Sequence, residues 1–392
     1  MANNKLNFDA VVVGCGFSGA VIARQLAENG RRVVILEKRG HIAGNMYDSA
    51  DENGILVHRY GPHIFHTSDA RVFNFLRRFS GFLPYEHRVL GHIDGQLVPI
   101  PFNFRSAELL FGDSRAAKFK AAISAAFGEQ SRVSVTDLIS SGDPEIREAG
   151  SFIFEKVFLN YTSKQWGMPP EQVDRSVLSR VPVVLGYDDC YFSDLIQCMP
   201  AQGYTKLFKN LLSHDNITVE LNCDAQSLIF ADTKTGILNF DSQPLKVPVI
   251  WTAPADELFG CIFGRLPYRS LELVLESPAV TQFQPAAVVN YPNDEQFTRI
   301  TEFKQLTGQN LEGVTTIMKE YPLDYNPQSK QGSLPYYPII NSQNLELYRR
   351  YSETAEKFAN LHLCGRLAEY KYYNMDAAVS AALSLADKII GA

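Results

Sequence analysis

Cysteine and tryptophan are scarce in this chain of 392 residues, with six of the first and two of the second, and neither forms a pattern. The cysteines stand at 15, 190, 198, 223, 261 and 364, with no CxxC pair and no histidine at metal-ligand spacing. They read as reduced thiols, which excludes a disulfide framework and a metal site and leads us to expect a cytoplasmic protein. No run reaches the ~18 uninterrupted apolar residues of a membrane span, so no stable membrane insertion is expected. The N-terminus lacks a basic segment followed by a long apolar one, so no signal peptide is expected. Positive charge is also short: the net charge is −6, which argues against nucleic acid as a partner. A bound anion would therefore depend on local arginines, which a screening length of roughly 8 Å permits. His63 and His66 lie close together in "YGPHIFHTSD", but no carboxylate or cysteine nearby completes a ligand set. A packing role is expected for His66. Neither a Ser-His-Asp set nor a carboxylate pair stands out.

Glycine is placed with more purpose. "FDAVVVGCGFSGAVIARQLAENGRRVVILEKR" begins with a β-branched run suited to a buried parallel strand. Gly14, Gly16 and Gly19 follow at once as G-x-G-x-x-G, then a helical stretch stopped by Gly30, then a second strand ending at Glu37. Glycines at these places permit a tight turn and a close approach to a pyrophosphate. The helix start offers free N–H groups, and the acid about 18 residues past Gly19 can accept ribose hydroxyls. A βα turn with glycines for packing alone would explain the glycines but not the acid. The motif leaves NAD and FAD open. The A-G-N turn at Ala43, Gly44 and Asn45 resembles one found in flavoproteins of the glutathione-reductase type.

Residues 106 to about 174 have mostly helical spacing, as in "SAELLF", "AKFKAAISAAF" and "DPEIREAGSFIFEKVFLNY". Met168-Pro169-Pro170 interrupts this run, and Arg175 and Arg180 follow with little apolar periodicity, as in a mobile loop bearing a cation. Residues 245–340 read as antiparallel strands, among them "LKVPVIWTAP", "YRSLELVLE", "AAVVNYP", "FTRITEFKQL" and "TTIMKEYP". No repeat or low-complexity linker divides the chain, so its domains must interleave. Near the end, "GRLAEYKYYNM" concentrates charge and tyrosine in front of a small-residue helix from Asp376.

"YGPHIFHT", "NYTSKQWG", "YFSD", "AQGYTKLF", "YRSL", "KEYP" and "GRLAEYKYYNM" together resemble the motifs of the bacterial UDP-galactopyranose mutases, in order and spacing, from about residue 8 to 390. The resemblance implies an α/β fold of three interleaved parts. An FAD-binding Rossmann-like domain would take 1–85, 200–262 and 352–392. A helical domain would take 103–180, with a mobile substrate loop near 168–180. A twisted antiparallel β-sheet domain would take 86–102, 181–199 and 263–351. It further implies a homodimer, a UDP-sugar substrate, and FAD that must be reduced by NAD(P)H or a flavin reductant. The implied reaction interconverts UDP-galactopyranose and UDP-galactofuranose without net redox change, with reduced flavin N5 as the nucleophile at the anomeric carbon. Such chemistry belongs to the cofactor, and the protein supplies orientation and electrostatics.

Matched residue by residue, the cofactor would be held by Gly14, Gly16, Phe17, Ser18, Gly19, Glu37, Lys38, Gly44 and Asn45. His63, Ile64, Arg366, Tyr373, Asn374 and Met375 would complete its site, with the closing helix starting beside the flavin. Arg180 on the loop and Arg299 on the sheet would grip the diphosphate, and Tyr372 would bond to it. Tyr161, Trp166 and Tyr191 would hold the uridine end, and Asn290 and Tyr321 would line the cleft. Phe158, Thr162, Phe192 and Arg269 complete the expected substrate set. Arg180, Arg299, His63 and Arg366 are the expected catalytic residues. Asn374 stands where many members have Asp, and His87 stands where many have a sugar-contacting Asn. Both departures bear on the sugar, so another nucleotide hexose (UDP-N-acetylgalactosamine or a deoxysugar nucleotide) stays open. An amine-oxidase-like flavin oxidoreductase is the further alternative.

Overall fold

The computed structural model describes residues 8–128, 130–167 and 182–391. The glycine motif sits where the sequence places it, between the fully buried strand Ala10–Val13 and the helix Phe17–Glu28. That strand is central in a five-stranded sheet ordered Ile217–Glu220, Val33–Leu36, Ala10–Val13, Val249–Trp251, Leu361–Leu363, with every pairing parallel. Covered on both faces, it can be apolar throughout. Gly19 is required by packing: a Cβ there would lie 2.0 Å from the Gly14 carbonyl oxygen. The chain returns to this sheet at its far end. Helix Met375–Gly391 packs beside helix Phe17–Glu28, and its Val379, Ala382 and Leu383 share one core with Ala20 and Ala23. The late polar and aromatic stretch is thereby carried back to the glycine motif.

The second sheet has seven strands, ordered Tyr337–Pro338, Tyr268–Glu276, Ile317–Asp324, Arg299–Glu302, Val288–Asn290, Val89–Ile93, Gln96–Ile100. It is antiparallel except where Val288–Asn290 runs parallel to Val89–Ile93. Two expectations are corrected here. "LKVPVIWTAP" was read among antiparallel strands, yet Val249–Trp251 is an inner strand of the parallel sheet. An isolated apolar triplet carries no mark of its partner's direction. Residues 181–199 were expected in the antiparallel sheet domain. Val183–Val184 instead pairs with Arg132–Val133 of the helical region, and Ile196–Pro200 pairs with Phe65–Thr67 and Phe82–Pro84.

The helical part runs from Phe104–Phe111 to Asn160–Trp166. Its last helices form one continuous rod, Pro144–Ile153 and Asn160–Trp166, joined by a π-helical segment, Phe154–Leu159. Wider turns of this kind recur at functional sites because they re-aim side chains. No described helix is long and apolar enough to cross a membrane.

One buried carboxylate joins the segments around the site. Asp48 is 3% exposed and accepts from the N–H groups of Tyr204 (2.5 Å) and Thr205 (2.8 Å), at the start of helix Tyr204–Leu212. The Thr205 hydroxyl donates to the Asp48 carbonyl at 2.7 Å. Asp48→Ala strips both helical N–H groups of their acceptor in a dry place. A buried donor left unpaired costs about 1–3 kcal/mol. The variant should therefore lose roughly 2–4 kcal/mol of stability in urea unfolding at saturating cofactor. An unchanged midpoint would show that the carboxylate does not hold this junction.

Candidate active site

Two cavities meet at one arginine. The larger, about 270 Å³, follows the glycine turn and the end of the second strand. Gly14, Gly16, Phe17, Ser18, Glu37, Lys38, Gly44 and Asn45 line it, as do His63, Arg366, Tyr373, Asn374 and Met375. Of the expected cofactor set, Gly19 and Ile64 do not reach it. Gly19 is spent on the close approach to Gly14, and Ile64 is buried in the core. The second cavity, about 220 Å³, is lined by Phe158, Tyr161, Thr162, Tyr191, Asn290 and Tyr372 from the expected substrate set, and by Gly91 and Gln165 among others. Arg299 and Tyr337 line both.

The sheet explains the position of Arg299. In the ladder, Gly91 pairs with Asn290, Asn290 with Arg299, and Arg299 with Glu320. Directly paired residues point to the same face, so one cross-strand row supplies the floor of the second cavity and its charge. Arg299 Nε donates to Glu320 at 2.5 Å, and Glu320 is 1% exposed. Burial opposes the charge on Arg299, but the adjacent Glu320 more than offsets it and the arginine stays a cation. The opposite wall comes from the rod of helices. Val157 and Phe158 in the π segment and Tyr161, Thr162 and Gln165 in the next turns line the cavity.

Several expected residues lie elsewhere. Tyr321 lines neither cavity and packs edge-on against Phe297 at 5.9 Å, because strand alternation turns it away from the face that Glu320 occupies. Arg269 also lines neither cavity. Its guanidinium is buried, bonded to the Gln165 carbonyl at 3.0 Å and paired with Asp324, so it braces the helix that bears Tyr161. His87 and Phe192 pack against Tyr191 at 5.5 and 5.1 Å and line neither cavity. His66 stacks on Phe192 at 3.7 Å and bonds Asp194 at 2.7 Å. Arg366 lines the larger cavity with Nε and Nη2 on the Tyr373 carbonyl, at 3.1 and 2.5 Å. Arg180, the segment 168–180 and the Trp166 side chain lie outside the described residues.

The structure adds residues that the motifs did not reveal. Arg39 lines the larger cavity, bonds Asn45 and stacks over Tyr60 at 4.5 Å, and its Nη1 is buried without a partner. Tyr337 stacks on Tyr372 at 5.9 Å. Glu320 was hidden inside "KEYP", where alternation with the strand bearing Arg299 was the available signal.

The larger cavity suits a dinucleotide. A Cβ at Gly16 would meet no protein atom within 4 Å, so the space beside it is open for a pyrophosphate. Glu37 accepts from the N–H groups of Cys15 and Arg39, which fixes its carboxylate at the cavity wall. His63 Nδ1 and Arg39 Nη1 are buried polar atoms without protein partners on residues that line it. The first turn of the closing helix contributes Met375 and Ala378, so its positive end faces the same space.

Fold and site together define a dinucleotide-dependent enzyme whose second, substrate-sized cavity opens beside the cofactor. Residues 156–372 match the family model for UDP-galactopyranose mutase, and residues 12–79 match one for NAD(P)-binding Rossmann-like domains. A UDP-galactopyranose mutase of Mycoplasma pneumoniae is 37% identical over 98% of this chain and 96% of its own. A dTDP-fucopyranose mutase of Escherichia coli is 33% identical over 97% and 98%. A crystal structure of reduced UDP-galactopyranose mutase shares the fold, with a TM-score of 0.73 at 17% identity, over 98% of this chain and 96% of that one. The chain belongs to the UDP-galactopyranose mutase family. It is an isomerase, a pyranose–furanose mutase, and its cofactor is FAD.

Three imidazoles around the site are held neutral. Burial pushes His58 down to about 4 and His87 down to about 3, the latter with help from Arg299 and His66. His63 lies well below 6.5 through burial, then through His58 and the Arg366 and Arg299 charges. Below pH 6.5 the unfolded chain protonates these groups and the folded chain does not. Stability present above pH 6.5 is thus lost as pH falls toward the depressed values, by at most about 1.4 kcal/mol per pH unit for each group. The unfolding free energy should be flat from pH 8 to 7 and fall between pH 6.5 and 5, and His87→Phe should make that fall shallower. An equal slope in the variant would mean that His87 titrates normally in the folded protein.

Proposed function

We propose that the substrate pair is UDP-galactopyranose and UDP-galactofuranose, and that the enzyme works only with reduced FAD. The observation that carries this reading is Arg299, a cation held by Glu320 at the junction of the cofactor and substrate cavities. A leaving diphosphate needs its charge met where the bond to the sugar breaks. A hydrogen bond to a charged group contributes roughly 1.5–3 kcal/mol, and only what grows in the transition state speeds the reaction.

When bound and reduced, the flavin supplies N5 as an electron-rich nucleophile for the anomeric carbon. The chain does the rest. Arg299 takes one side of the diphosphate and Arg180 the other. Tyr372 at the cavity mouth bonds the same group. Tyr161 and Tyr191 enclose the nucleotide end, and burial keeps both phenols protonated, as hydrogen-bond donors. Asn290 offers an amide to a sugar hydroxyl. The N-terminus of helix Met375–Gly391 favours negative charge on a reduced isoalloxazine. His63, neutral, gives the flavin an uncharged neighbour beside Arg299. The aromatic walls exclude water that would hydrolyse an activated sugar. We further propose a cytoplasmic homodimer reduced by NAD(P)H or a flavin reductant, with discontinuous cofactor, helical and sheet domains near the boundaries expected from the sequence except for residues 181–199, which pair with the other two parts.

A deoxysugar nucleotide is the second reading, favoured by the full-length likeness to a dTDP-fucopyranose mutase. One anaerobic assay separates them. Dithionite-reduced and oxidised protein are each incubated with UDP-galactofuranose and with dTDP-fucofuranose, and the pyranose products are separated by chromatography. The reduced protein should convert the UDP sugar at least a hundredfold faster than the oxidised protein, and faster than it converts the dTDP sugar. Equal rates in the two redox states would contradict the nucleophilic role of the flavin. Faster turnover of the dTDP sugar would transfer the assignment to the deoxysugar.

A further inference from the structure

His63 sits on a stretch with no regular structure, between strands Leu56–His58 and Phe65–Thr67, yet its imidazole lines the cofactor cavity. What holds it is a grip on its backbone from both sides. The His63 N–H donates to Nδ1 of His58 at 3.1 Å, and the His63 carbonyl accepts from the Tyr204 hydroxyl at 3.2 Å. Both gripping residues are 1% exposed. Their rings meet edge to face at 5.5 Å, and Phe303 closes on His58 at 5.8 Å. Tyr204 is fixed in turn by Asp48, which accepts its N–H. An Nδ1 that accepts from a backbone N–H carries no proton, so the tautomer of His58 is set by this bond.

We propose that His58 is a positioning residue for the flavin-facing His63. By accepting the His63 N–H while Tyr204 holds the carbonyl, it fixes the peptide plane and so the direction of the His63 ring. The argument rests on the reading of the larger cavity as the flavin site. The His63 Nδ1, buried with no protein partner, is then aimed by a bond made on the other side of its own backbone. The residues that touch the cofactor need such support, since a small misplacement of a group beside the reacting atoms is costly.

The test uses the FAD-loaded protein and two substitutions at one place. His58→Leu keeps bulk and removes the acceptor. His58→Asn keeps an acceptor, because its Oδ1 is as many bonds from Cβ as Nδ1 is. The midpoint potential of the bound flavin, measured without sugar nucleotide, is compared with kcat and KM. His58→Leu should shift the potential and lower kcat at least tenfold with KM within twofold. His58→Asn should return the potential to the wild-type value and kcat to within threefold. An Asn variant as impaired as the Leu variant would overturn the proposal, as would a Leu variant with wild-type potential and kcat. If His58→Leu fails to fold, Tyr204→Phe decides, since it keeps the ring and removes the other hold. A shifted potential there supports the grip, and an unchanged one refutes it. Wild-type protein that binds FAD but converts no sugar nucleotide would fail the functional reading instead, and would leave the comparison of potentials intact.

Discussion

The ion pair between Arg299 and Glu320 is the constraint around which the site is arranged. A half-buried guanidinium and a buried carboxylate each lose hydration, and their attraction roughly repays that loss when the geometry is good. Net stability is therefore a poor reason for such a pair. Its value lies in place: Glu320 holds Arg299 by Nε and leaves the rest of the fork toward the two cavities. The register of three strands fixes where that fork stands, since Asn290, Arg299 and Glu320 are direct ladder partners. A charge placed by a sheet needs little reorganisation when an anion arrives.

The cofactor side depends on a different economy of parts. The chain begins and ends at the same wall, because helix Met375–Gly391 packs beside helix Phe17–Glu28. The glycine turn, the second-strand acid and the first turn of the closing helix thus reach one cavity from opposite ends of the sequence. Two neutral histidines stand next to this cavity, His63 lining it and His58 buried behind it. His58 and His63 are neighbours at 6.3 Å, and neither can take a proton without losing solvation it does not recover.

The parts legible in the sequence were those with their own local chemistry. Gly14, Gly16, Gly19 and Glu37 announce a strand, a tight turn, a helix and an acid at the cavity wall within one short segment. The closing helix and its polar preface were legible as well. What could not be read was pairing across space. Tyr321 is suggested by the family motif, while the strand's alternation gives the site its neighbour Glu320. Arg269 carries the same charge as Arg299, but its partners, Asp324 and the Gln165 carbonyl, are remote in sequence. Arg39 belongs to none of the motifs, and only the fold brings it to the cofactor cavity. Val249–Trp251 and residues 181–199 were misplaced for a related reason: short segments do not encode which sheet receives them.

The central claim is that one cation, Arg299, serves both cavities, so that nucleotide binding and the flavin are physically linked. Titration of UDP into reduced, FAD-loaded protein, followed by the flavin absorbance, tests this most directly when wild type and Arg299→Ala are compared. UDP should perturb the wild-type flavin spectrum. In the variant, which should retain FAD, UDP affinity should fall at least tenfold and the spectral response should vanish. Wild-type affinity together with an undiminished spectral response in Arg299→Ala would contradict the account.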